Sequence, residues 1–112
     1  MKLPGGTDAI VESSKLRNYC LDPHHPRGRY KARVFLSILG LAQADADFLR
    51  AELIQAAREA DATAGVSDEY GDRYSVDFEI SRGVRHATIR SAWIVLRGET
   101  APRLTSFFVL LD

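Results

Sequence analysis

Apolar residues recur at helical spacing through the first half of this chain and at alternate positions through the second. Ser13 or Ser14 can cap a short helix running through Leu21, with Leu16 and Cys20 four apart on one side. Asp22-Pro23 stops it, because the residue before a proline is pushed out of the helical region. Val34, Phe35, Ile38 and Leu39 predict a second helix from near Gly28 to Gly40, where glycine suits a C-terminal cap. A third, from about Asp45 to Ala64, sets Leu49, Leu53, Ala56, Ala57 and Ala60 on one face and leaves Gly65 beyond its end. Asp47, Arg50, Glu52, Arg58, Glu59 and Asp61 fall on its outer face.

Beyond that helix the period changes. Tyr74, Val76, Phe78 and Ile80 alternate with Ser75, Asp77 and Glu79, the pattern of a strand with one buried face. Arg82-Gly83-Val84 reads as a turn, and the run from His86 to Leu96 is apolar on both faces, as a central strand should be. Arg97-Gly98-Glu99 ends it, and Arg103 to Leu111 after Pro102 is again strand-like. Short turns favour antiparallel pairing. The expected fold is therefore α+β, with N-terminal helices packed on one face of a C-terminal antiparallel sheet of three or four strands.

Composition sets bounds. A chain of 112 residues, 46% hydrophobic and 27% charged, fits one soluble globular domain spanning 1–112. No apolar run approaches the roughly 20 residues that span a bilayer, and Met1-Lys2-Leu3-Pro4-Gly5-Gly6 lacks the apolar centre of a signal peptide, so the expected location is the cytoplasm and no membrane partner is expected. Cys20 is the only cysteine, which excludes an internal disulfide and a four-cysteine zinc site. The formal charge of zero hides segregation: residues 1–44 carry seven cations and three anions, 45–79 carry three and ten, and 80–112 carry five and two. If the two ends of the chain meet in space, they form a basic surface suited to a polyanion. Solvated faces of mixed charge explain the same pattern.

The densest chemistry lies between Asp22 and Arg33, which holds His24, His25, Pro23, Pro26, Arg27, Arg29, Lys31 and Arg33. Lys31 precedes Val34, Phe35 and Ile38 by three, four and seven residues, which puts it on the inward stripe of its helix. It either snorkels to the helix end or points into a cleft, where it could hold a phosphate. Arg29 and Arg33 lie on another side, as solvated charges or as contacts to a nucleic-acid backbone. His24 and His25, in a loop stiffened by two prolines, are exposed enough to exchange protons, although such histidines more often cap or decorate a surface. The adjacent pair is a poor metal site, with Asp22 the only nearby carboxylate. Arg90 interrupts an apolar strand, and Arg103 and Thr105 should share a face further on. An arginine and a hydroxyl in a sheet cleft can stabilise phosphoryl charge, while a cross-strand pair of Arg90 with Asp77 or Glu79 is the structural alternative. Tyr70 could stack on a base or simply pack. No phosphate-loop, dinucleotide, nucleophile-elbow or zinc-protease motif is present, and no cofactor is expected.

Lys2-Leu3-Pro4, Lys15-Leu16 with Tyr19, Asp22-Pro23, His25-Pro26 with Gly28, Lys31-Ala32, Phe35, Leu39-Gly40, Tyr70-Gly71 with Tyr74, Val76-Asp77, Trp93-Ile94 and Pro102-Arg103-Leu104-Thr105 together resemble a family of small bacterial domains of unknown function. The resemblance covers nearly the whole chain. The order of helices then antiparallel sheet is in turn similar to the bacterial RNase toxins that include barnase, EndoU, colicin nucleases and RelE, a likeness of fold alone. That second resemblance implies metal-free RNA cleavage, in which a base removes the 2′-hydroxyl proton, cations stabilise the phosphorane and an acid protonates the leaving oxygen. His25, Lys31, Arg90, Arg103 and Thr105 match those roles by residue type, with His24, Arg29 and Tyr70 as substrate contacts. Arg82-Gly83-Val84 replaces the longer turn of many relatives. RNA is the implied partner, and separately the acidic third helix could bind a cognate inhibitor protein. From a different class, the apolar run Phe107, Phe108, Leu110 and Leu111 suits a non-catalytic interaction module that adds its last strand to a partner's sheet.

Overall fold

The computed structural model describes residues 1–111. A short helical turn α1 (Ser13–Lys15) runs directly into a wide π-helical turn (Leu16–Cys20), followed by α2 (Arg29–Leu39) and α3 (Ala46–Glu59). Four strands follow, β1 (Ala62–Ser67), β2 (Gly71–Arg82), β3 (Arg85–Leu96) and β4 (Arg103–Val109). They pair antiparallel in the order β1-β2-β3-β4, so the fold is α+β with a C-terminal sheet.

Two sequence expectations are corrected. Ser13 is the first helical residue rather than a cap, since Glu12 occupies the cap position and no side chain bonds there. The third helix ends at Glu59, five residues before the expected limit, and Ala62–Ser67 pairs with β2 instead. Alanine favours helix locally, but Thr63, Gly65 and Val66 do not, and pairing with β2 decides the contest. In α2 local signals suffice. Gly40, at φ 67°, lets its own N–H reach the Leu36 carbonyl at 2.9 Å and that of Leu41 reach Phe35 at 3.2 Å, which closes the helix with two bonds.

All helices cover one sheet face. Val76 and Ile80 of β2, Ile89 and Trp93 of β3, and Phe107 of β4 point into that layer and are fully buried, meeting Phe35, Leu39, Leu49 and Leu53 from the helices. The Phe35 and Phe107 rings meet edge to face at 5.4 Å, which ties α2 to β4. One polar chain crosses this core: the Trp93 indole donates to Ser91 Oγ at 2.9 Å, and Ser91 donates to the Val76 carbonyl at 2.8 Å. Every buried polar atom in it is thereby satisfied.

The opposite face of the sheet is open and polar, with Asp77 set across from Arg90 and Glu79 across from Thr88. The free edge of β4 is guarded at its start. Ile10 bridges to it in parallel, with Ile10 N–H to Pro102 O at 2.9 Å and Leu104 N–H to Ile10 O at 3.1 Å. A bulge follows, where Ser106 pairs with Ala92 and Leu104 with Trp93, leaving Thr105 as the extra residue.

Candidate functional site

The α1 and π-helical segment, the first turns of α2 and the bulged part of β4 border an open cleft of ≈ 640 Å³. Lys15, Tyr19, Cys20, Lys31, Thr105 and Ser106 are among its walls. Local structure explains how three separate segments meet. At Gly28 a Cβ would fall 1.8 Å from the Tyr19 carbonyl oxygen, so only glycine lets the start of α2 lie directly on the backbone of the π-helical turn. That contact places Lys31, one turn into α2, beside Cys20.

Lys31 is half-buried, on the inward stripe its spacing predicts, with its ammonium 4.9 Å from the centre of the Phe107 ring. Burial pushes its pKa below the usual lysine value, the charge of Lys15 adds to the drop, and Cys20 opposes it. The Cys20 thiol is pushed up by burial, with Lys31 and then Lys15 opposing. Lys15 reaches across the cavity and donates its ammonium to the Thr105 carbonyl. Neither lysine has a carboxylate within ion-pair distance among the described residues, where eight other ion pairs occur. Lys15 and Lys31 therefore share one hollow with Glu12, Ser106 also lines it, and the Thr105 hydroxyl is turned 3.0 Å onto the Ala92 carbonyl. Two lysine side chains without an ion-pair partner at the mouth of a cavity can accept an anionic ligand, although Glu12 on the same lining opposes it.

The family described as a domain of unknown function, DUF6883, matches residues 2–111. The chain belongs to this family. No curated protein and no solved structure matches it.

In this DUF6883 domain the other expected site residues fall in different places. His25 sits at the back of Tyr19, with ring centres 4.4 Å apart, and its Nδ1 accepts the N–H groups of Arg27 at 3.0 Å and Gly28 at 3.1 Å. Its ring proton must then sit on Nε2, so the nitrogen that would act as a base is already committed to capping the turn. Arg103 lies in an adjoining hollow of ≈ 310 Å³ that shares Lys15 and Thr105, and it is held by Glu99 through Nε at 3.0 Å. Arg90 does not join the cleft. It stands on the open sheet face, where its guanidinium takes both carboxylate oxygens of Asp77 at 2.8 Å. Alternation settles this, because Ile89 and Ser91 on either side of it point into the core.

Tyr70 occupies the β1–β2 turn, at the other edge of the sheet from the cleft, and is exposed. His24 is exposed and lines none of the cavities described above. Arg29 and Arg33 flank a second hollow of ≈ 420 Å³ on the far side of α2. Among the described residues no three His, Cys, Asp or Glu side chains group as a metal site, and no helix is long and apolar enough to cross a membrane. In the C-terminal run, Phe107 belongs to the core, whereas Phe108 and Leu111 are exposed.

Lys15, Tyr19 and Ser106 are the cleft residues that sequence reasoning passed over as site residues. Lys15 and Tyr19 are four apart on a segment whose buried residues are Leu16 and Cys20, a spacing that puts both on one side and could have marked them. Ser106 carries no such signal, because its position depends on the bulge.

Proposed function

We propose that this domain is a metal-independent ribonuclease module of bacterial toxin type, working in the cleft between the π-helical turn and β4. One observation carries the reading: the amines of Lys15 and Lys31 share a cavity also lined by Glu12, Thr105 and Ser106, and neither has a carboxylate within ion-pair distance among the described residues. The lowered pKa of Lys31 suits it to two tasks. As a neutral amine it removes the 2′-hydroxyl proton of RNA; the 2′-oxygen then bonds to phosphorus, and the bond from phosphorus to the 5′-oxygen breaks. The resulting Lys31 ammonium returns the proton to the departing 5′-oxygen, which leaves a 2′,3′-cyclic phosphate. Lys15 stays charged and stabilises the phosphorane, as an ammonium held in place before the reaction needs no reorganisation. Arg103, in the adjoining hollow, meets the next phosphate along the strand only by giving up Glu99, which holds it.

The test uses the purified domain, a single-stranded fluorogenic RNA and excess chelator. Cleavage to a 2′,3′-cyclic end is expected, with Lys31→Met and Lys15→Met each lowering the rate by roughly a hundredfold. Absence of cleavage, or cleavage unchanged in both variants, overturns the reading. Expression in bacteria is expected to arrest growth with the wild type and not with Lys31→Met.

A further inference from the structure

We propose that Tyr19 is a base-stacking platform and that His25 is its positioning residue, so that the cleft selects single-stranded RNA with an unstacked base beside the phosphate held by Lys15. This deepens the ribonuclease reading and rests on it.

An exposed tyrosine on a short helical turn ordinarily samples several rotamers. Tyr19 is 36% exposed, yet it is constrained from two directions. Its backbone is pressed against Gly28, where no side chain would fit, and its ring is backed by the His25 imidazole at 4.4 Å with the planes tilted by 56°. His25 is itself fixed. Its Nδ1 accepts two backbone N–H groups, its own N–H meets the Asp22 carbonyl at 3.3 Å, and its carbonyl accepts Arg29 N–H at 3.0 Å. Pro26 stiffens the next link.

Four hydrogen bonds thus fix His25, and two packing contacts, from its ring and from Gly28, hold Tyr19, which lines the same cavity as the two lysines. A fixed aromatic wall next to an anion receptor has the footprint of one nucleotide, base on the ring and phosphate on the cation. Little ordering entropy remains to be lost on binding. Bases in a duplex stay stacked on one another, so only a single strand or a loop can use such a wall. This assigns a purpose to the His25 turn that does not need a free Nδ1.

The experiment reads binding separately from chemistry. A fluorescein-labelled single-stranded RNA decamer, 2′-O-methylated to block cleavage, is compared by anisotropy with an abasic decamer of the same charge. The wild type is expected to prefer the decamer with bases by roughly tenfold. Tyr19→Ala should abolish that preference and leave abasic binding unchanged, and Tyr19→Phe should retain it. His25→Asn keeps an acceptor for the two N–H groups, as asparagine does in such turns, but removes the ring, so it should fold normally and lose most of the preference. Equal preference in Tyr19→Ala and wild type overturns the platform, and full preference in His25→Asn overturns the positioning role. A wild type that binds neither decamer overturns the RNA reading itself.

Discussion

The cations on the open face of the sheet and those in the cleft are the same kinds of residue under opposite rules. Three arginines of the sheet and its turns each have a carboxylate: Arg90 with Asp77, Arg97 with Asp72 at 3.0 Å, and Arg73 with Asp68, while Arg85 donates to the Ser37 carbonyl instead. Arg97 also donates to Ser67 Oγ and to the Asp68 carbonyl, which ties the end of β3 to the β1–β2 turn. Those charges are consumed by structure, and the carboxylates respond. Asp77 is held below its usual pKa first by the Arg90 hydrogen bond, and Asp72 first by that of Ser67 and then by Arg97. In the cleft, by contrast, Lys31 is half-buried over an aromatic ring with no carboxylate at ion-pair distance among the described residues. Burying a cation without a counter-charge opposes folding. Under the ribonuclease proposal, that unpaired lysine is the one a ligand would meet.

The sharpest way to break this contrast is to remove one cation from each region. Lys31→Met should lower RNA cleavage by roughly a hundredfold while leaving the fold intact, because methionine fills the lysine stem's apolar space. Arg90→Ala should change cleavage by less than about threefold, as its charge is spent on Asp77 and lies across the sheet from the cleft. Steady-state rates of the two variants decide it. A larger loss in Arg90→Ala would mean that the open face, not the cleft, meets the substrate.

A second contrast lies inside the cleft and is read by pH. Lys31 has a folded pKa below its ordinary 10.5, so between the two values the unfolded chain keeps a proton that the folded one has released, and stability rises with pH in that window. Cys20 runs the other way. Its folded pKa lies above the ordinary 9.0, so as pH climbs past 9.0 the unfolded thiol ionises first and stability falls. Urea unfolding midpoints at pH 7, 9 and 10.5 separate the two. Lys31→Met should be more stable than wild type at pH 7 and lose that advantage by pH 10.5, whereas Cys20→Ala should lose the alkaline decline. Parallel curves for all three proteins would show that neither group is desolvated by the fold.

The two regions also differ in how far they were legible in the chain. The span of α2 was readable from its apolar spacing and from Gly40, whose positive φ closes the helix, and β2 because its alternation runs unbroken from Tyr74 to Ile80. The central place of β3 followed from apolar residues on both of its faces. Lys31 was readable as an inward lysine from helical spacing alone. What faced it was not, since Lys15 and Thr105 are 90 residues apart and meet through the bulge in β4, which no local pattern announces. The boundary between α3 and β1 was misread because alanine's helical preference persists to Ala64 while the strand's stability comes from β2. For Arg90 the alternation was visible, but the choice between cleft and carboxylate partner needed the register that sets it opposite Asp77.

The smallest effect tests the structural side of the contrast. Arg90 and Asp77 are each about half exposed, at 46% and 41%, so solvent screens their attraction and Arg90→Ala should change stability little. Its pH dependence has a definite sign. Asp77, held below its ordinary 3.8, contributes stability that is present above that value and is lost as pH falls through the folded pKa, because the unfolded carboxylate takes up its proton first. Asp77→Asn should therefore unfold with a shallower pH dependence than wild type below pH 4, and 0.5 M salt should narrow the difference between them at pH 7. If Asp77→Asn instead abolished RNA cleavage at neutral pH, the pair would belong to the reaction, and the division between paired structural charge and unpaired functional charge would fail at its simplest example.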